Sequence, residues 1–136
     1  MAIISIKFNK INAENKGVPK GKINISNKIS IKDVKEKVIA PGKSEQKGLE
    51  FSFAFESKYE PKVGVINLGG IVFAILPKKA TEDILTSWKK NKKVPKEVET
   101  GVLNAALTRC NIEALLISQR IAIPPPIPLP KLRAKK

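Results

Sequence analysis

A chain of 136 residues has room for one ordinary core, and a hydrophobic share of 42% can fill it without disulfide staples. Twenty-six Lys and Arg stand against 12 Asp and Glu, and the resulting +14 opposes compaction and favours polyanionic partners. With no histidine and a single cysteine, the commonest general base, the commonest metal ligand and any disulfide framework are missing; no enzyme, cofactor or metal site is expected.

In chain order, the opening MAIISIKFNK has charges interrupting its apolar run, so AIISIKFNKI reads as a first strand rather than a secretory leader. KINISNKISIKD follows, with Ile23, Ile25, Ile29 and Ile31 at one parity and polar residues between them. LEFSFAFES repeats the alternation with Leu49, Phe51, Phe53 and Phe55. VGVINLGGIVFAIL, Val63 to Leu76, is apolar on both faces, and Gly69-Gly70 marks a bulge or bend within it. Turn residues separate the runs at 17–22 (GVPKGK), 40–48 (APGKSEQKG) and 59–64 (YEPKVG). These connections are too short for helical crossovers, so neighbouring strands should be antiparallel.

After Pro77 the period changes from strand to helix. Thr81 as N-cap, Glu82 and Asp83 in the first turn and lysines in the last predict a helix over 81–92, with Ile84, Leu85 and Trp88 on its apolar side. Pro95 opens a second helix, expected over 96–120. Val98, Val102, Leu103, Ala106, Leu107, Cys110, Ala114 and Ile117 recur on it at three- and four-residue steps. Ile112, Leu115, Leu116 and Ile121 add apolar surface on other sides, which calls for further cover and allows self-association through this helix. Cys110 lies on the stripe and reads as a buried structural thiol. Ile25, Ile29, Phe51, Phe53, Phe55, Leu103 and Cys110 are expected to share one core.

The fold class that results is α+β: a four-stranded antiparallel sheet followed by two helices packed on it. Residues 1–123 form the domain, and 124–136 an extended Pro-rich basic tail. Five of the ten prolines fall in the seven residues Pro124 to Pro130, which cannot continue a helix and suit polyproline II. Such a tail should be mobile until laid on a partner. The longest apolar runs are too short to span a membrane, and a cytoplasmic protein without a membrane or small-molecule partner is expected.

Charge supplies the candidate site. Lys78 and Lys79 precede the first helix, Lys89, Lys90, Lys92, Lys93 and Lys96 fall in WKKNKKVPK, and Lys131, Arg133, Lys135 and Lys136 form the tail tip. Lysine acts as a point charge suited to phosphate contact. Dipole complementarity accounts for part of the 88–96 run as well. Trp88 beside these lysines offers a stacking surface, although its spacing from Ile84 and Leu85 places it in the core. Tyr59, at a turn, is the freer aromatic.

SWKKNKKVPKEV, then VLNAALTRCNIEALLIS, then IPPPIPLP resembles a family of small archaeal SecB-like proteins, over roughly the second half of the chain from Phe51 onward. The resemblance implies the SecB architecture. SecB itself is acidic and binds unfolded chains across apolar grooves, whereas this chain is strongly basic. The charge therefore leads to a ribosome-associated structural protein, preferably of the small subunit, binding ribosomal RNA and neighbouring ribosomal proteins. A SecB-like chaperone for unfolded polypeptides is the alternative, and a ribosome hibernation or assembly factor the second.

Overall fold

The computed structural model describes residues 1–18, 21–38, 47–132 and 134. Strands β1 (Ala2–Asn15), β2 (Asn24–Val38), β3 (Lys47–Glu60) and β4 (Gly64–Ile75) precede helices α1 (Lys78–Asn91) and α2 (Lys96–Arg120). The strands form one sheet in the order β1-β4-β3-β2, antiparallel throughout. The α+β class expected from the sequence is what the chain forms.

Connection length alone did not reveal the strand order. β1 and β2, consecutive in sequence, lie on opposite edges, so the link between them crosses three strand spacings, ~14 Å. Lys16 N–H donates to the Val63 carbonyl at 2.8 Å, which carries the link past the β3–β4 turn. β4 takes the interior place because its apolar residues occupy both faces, whereas β1 and β2 alternate with lysine and polar residues that tolerate an edge. The 40–48 turn lies mostly outside the described residues, as do Pro19 and Lys20 of 17–22.

One face of the sheet carries the helices. Register places Phe51 beside Val72, Phe53 beside Gly70 and Phe55 beside Leu68, all buried on that face. α2 crosses all four strands and presents Val102, Ala106, Cys110 and Ala114 to them, each completely buried. These four-residue steps use small side chains, letting the helix axis approach the aromatic floor. α1 covers β2 and β3 with Ile84 and Trp88. On the other face, Glu50, Ser52, Ala54 and Glu56 of β3 remain half-buried.

Gly70 shows why a glycine sits mid-strand. Phe8 on β1 and Phe53 on β3 flank it in register, and their rings meet edge to face at 6.1 Å and 74°. A Cβ on Gly70 would meet the Lys7 carbonyl and stand 2.7 Å from Phe53 Cζ. The bulge expected at the glycines lies across from them, in β1, where the register shifts between Phe8 and Lys10.

Several boundaries and burials differ from expectation. α1 begins at Lys78 with Pro77 before it, a turn earlier than a Thr81 cap requires. Thr81 is inside the helix, its hydroxyl donating back to the Pro77 carbonyl at 3.1 Å, and Glu82 and Asp83 fall beyond the first turn. Proline is favourable there because it presets φ and lacks an N–H that would go unpaired. The helix stops at Lys92, which takes a left-handed conformation (φ 56°) and donates its N–H to Trp88. In the core, Phe51, Phe53, Phe55 and Cys110 are buried as expected. Ile29 and Leu103 are only half-buried, and Ile25 is 37% exposed, because the helices cover the central strands more fully than the edges. Neither described helix is long and apolar enough to cross a membrane.

Candidate functional site

Among the described residues, the predicted basic residues do not form one cluster. Lys78 and Lys79 start α1 and Lys89 and Lys90 end it, ~20 Å apart along a 14-residue helix. Lys92, Lys93 and Lys96 continue from there into α2, so the 89–96 lysines are local neighbours, all exposed. Lys131 follows α2 in the Pro-rich segment, where it lines a groove with Ile25 of β2. Arg133, Lys135 and Lys136 lie outside the described residues. The described ion pairs join β2 and β3 residues, from Lys35–Asp33 to Lys58–Glu60, and are surface pairs of small energetic weight.

Trp88 is not a stacking platform. It is 8% exposed within the core, with the Lys92 ammonium 5.5 Å from its ring centroid. Cys110 is completely buried, and burial pushes its thiol up to about 12, holding it neutral and unreactive.

The aromatic set aside in the sequence proves the more informative. Tyr59 is 1% exposed, not free, and burial raises its hydroxyl to about 12 while a hydrogen bond with Ser57 partly opposes the rise. Tyr59 Oη donates to the Pro124 carbonyl at 2.6 Å. Asn27 Nδ2 donates to the Pro126 carbonyl at 2.9 Å, and Ser57 Oγ donates to Asn27 Oδ1 at 2.6 Å. Asn15 Nδ2 donates to the Ile121 carbonyl at 2.8 Å. The beginning of the Pro-rich segment thus lies on the sheet instead of moving freely; Ile123 and Pro126 are buried, while Pro128 to Leu132 are exposed. No motif in the sequence marks Asn27, Ser57 or Tyr59, because the three meet only through β2–β3 register and the return of the chain after α2. The one available clue was a polar Asn at an inward parity between isoleucines.

Apolar surface borders this contact. Ile25, Ile29 and Ile31 occupy the helix-bearing side of β2, opposite Tyr59, Phe55 and Phe53, and are half-buried or exposed. Ile25 joins Pro125, Ile127 and Leu129 in lining an open groove of about 470 Å³. On α2, Ile112 and Leu116 are 54% and 51% exposed, so none of the described residues covers the helix's outer side there. What this arrangement offers chemically is apolar contact with backbone hydrogen bonding beside it.

No protein-family model matches the chain, and no curated protein sequence matches it. Among solved structures it is similar to a SecB-like chaperone of Mycobacterium tuberculosis in complex with a ChAD peptide from the HigA1 antitoxin. The TM-score is 0.56 and the identity 16%, over 98% of this chain and 91% of that one. This finding corrects the ribosomal reading: the neighbour is a chaperone with a polypeptide partner, and ribosomal RNA and ribosomal proteins are withdrawn as partners. The error came from treating net charge as a site, when the described candidate lysines fall at both ends of α1, at the start of α2 and in the Pro-rich segment. The chain has a SecB-like fold.

Proposed function

We propose that the protein is a SecB-like chaperone that holds extended or unfolded polypeptide against the apolar surface flanking α2. The observation that carries this reading is the shared fold with a chaperone solved in complex with a peptide. Ile25, Ile29 and Ile31 on β2 and Ile112 and Leu116 on α2 support it, since they leave apolar side chains accessible beside a well-filled core. Apolar contact provides affinity without demanding one client sequence. The net charge of +14 steers the choice toward acidic clients and against basic ones. In this reading the protein performs no catalytic step and works in the cytoplasm. The narrower likeness to small archaeal members of the fold, carried by SWKKNKKVPKEV and IPPPIPLP, belongs to the same proposal.

The test is binding to reduced, carboxymethylated α-lactalbumin, an acidic chain that cannot refold, with suppression of thermal aggregation of an acidic enzyme as a second readout. Saturable binding is expected, weakened by salt but retained at high salt through its apolar part. Absence of both binding and suppression at several-fold molar excess would overturn the reading.

A further inference from the structure

The segment after α2 is itself an extended peptide seated on the sheet. Past Arg120 the chain turns through Ala122 (φ 56°), and Ile123 N–H donates to the Ser118 carbonyl at 3.0 Å. The Ile123 side chain is buried over Gly64, where an added Cβ would stand 3.5 Å from it and 2.7 Å from the Glu14 carbonyl. Three prolines follow. Proline has no N–H, so this stretch offers only carbonyls, and a surface that reads it needs donors at the right spacing.

The sheet supplies them. Tyr59 and Asn27 take the carbonyls of Pro124 and Pro126, two residues apart. Ser57 is the register partner of Asn27 across one strand spacing, and Tyr59 lies two residues further along β3 on the same face. The two donors therefore stand on neighbouring strands, and the segment passes across the sheet from Gly64 on β4 over Tyr59 on β3 to Asn27 on β2. Ser57, completely buried, fixes the Asn27 amide by donating to its oxygen, which turns Nδ2 toward Pro126. The donors are therefore preset beside an aromatic ring, and aromatic-lined surfaces are those that read polyproline segments. Past Ile127 the segment lifts into solvent, so the hold is two hydrogen bonds and a small apolar contact.

We infer that Asn27, Ser57 and Tyr59 form a receptor for the backbone of an extended, proline-containing peptide. Its resident ligand is this chain's own Pro124–Pro126, and its exchange ligand is a client segment of the same chemistry. The exchange step rests on the polypeptide-binding role proposed above; the resident step does not. Exchange uncovers Ile25 further and frees the two donors, so a client that displaces the segment gains apolar and polar contacts at once.

The experiment uses the full chain with Leu129→Cys carrying a nitroxide, Cys110 being buried and unlabelled, and reads label mobility by electron paramagnetic resonance. A hindered component is expected. Asn27→Ala and Tyr59→Phe should each shift the docked-to-free ratio about five-fold toward free, the effect of one lost hydrogen bond. Unchanged thermal melting of Asn27→Ala shows that this is not unfolding; that edge-strand variant suffices if Tyr59→Phe fails to fold. A synthetic IPPPIPLP peptide should release the label in proportion to its concentration, and IAAAIALA should not. Identical spectra in wild type and Asn27→Ala, with no response to IPPPIPLP, would overturn the receptor. Release by IPPPIPLP but not by a proline-spaced peptide of unrelated side chains, EPPPVPVP, would uphold the resident site and overturn its exchange with clients.

Discussion

On β3, Phe51, Phe53, Phe55 and Tyr59 lie on the helix-bearing face and are 0–2% exposed, whereas their register partners on β2 grade outward. Val34 is buried, Ile31 and Ile29 are half-buried, and Ile25 is more than a third exposed. Both strands carry the same alternation of apolar and polar residues. β3 has a strand on either side and α2 and α1 above; β2 has a neighbour on one side only. The comparison teaches that alternation assigns a face, while position in the sheet decides whether that face becomes core or remains accessible surface. The proposed holding of polypeptide uses both: a centre that stays folded, and an edge that stays accessible.

The comparison breaks first at the centre. Phe51→Ala should cost about 3–5 kcal/mol, measured by chemical denaturation, since a fully buried ring is removed where neighbours cannot collapse into the space. A loss below ~1 kcal/mol would show that β3 is no more than an edge. Gly70→Ala should cost about 1–3 kcal/mol through overpacking, because its Cβ must push apart Phe53 and the Lys7 carbonyl. A neutral result in the same denaturation assay would mean that the aromatic pair over Gly70 is free to move aside.

Alkaline pH offers a graded version of the same test. Tyr59 and Cys110 are both raised to about 12 by burial, from ordinary values of 10.0 and 9.0. Raised acids bind their protons more tightly folded than unfolded. Their contribution is therefore complete below about pH 9 and is lost as pH rises toward about 12. Tyr59→Phe combined with Cys110→Ala should flatten this alkaline fall in melting temperature while lowering stability at neutral pH. At the edge, Ile25→Ser with Ile29→Ser should change stability least, by about 1 kcal/mol or less. The same pair should weaken binding of carboxymethylated α-lactalbumin by on the order of tenfold, about 1.4 kcal/mol. Equal binding with and without the two isoleucines would place clients elsewhere.

The sequence by itself determined much of this protein: strands over the first 76 residues, two helices after Pro77, the phenylalanines of β3 and Cys110 as interior, and a Pro-rich segment that leaves helical geometry. Each of these rests on local periodicity or on the φ restriction of proline, which neighbours along the chain decide. Strand order was not so determined, because antiparallel pairing fits several orders and only packing on both sides of β4 selects one. The candidate site depended still more on tertiary structure. Asn27, Ser57, Tyr59 and Pro126 span 99 residues between first and last, and no local pattern links a hydroxyl on β3 to a carbonyl past α2. The described candidate lysines, which the sequence displays most loudly, fall at both ends of α1, at the start of α2 and in the Pro-rich segment, since charge pays no penalty for staying apart in water. The buried Tyr59 hydroxyl must instead find an acceptor wherever the fold brings one, and that requirement, visible only in three dimensions, helps seat the proline segment on the sheet.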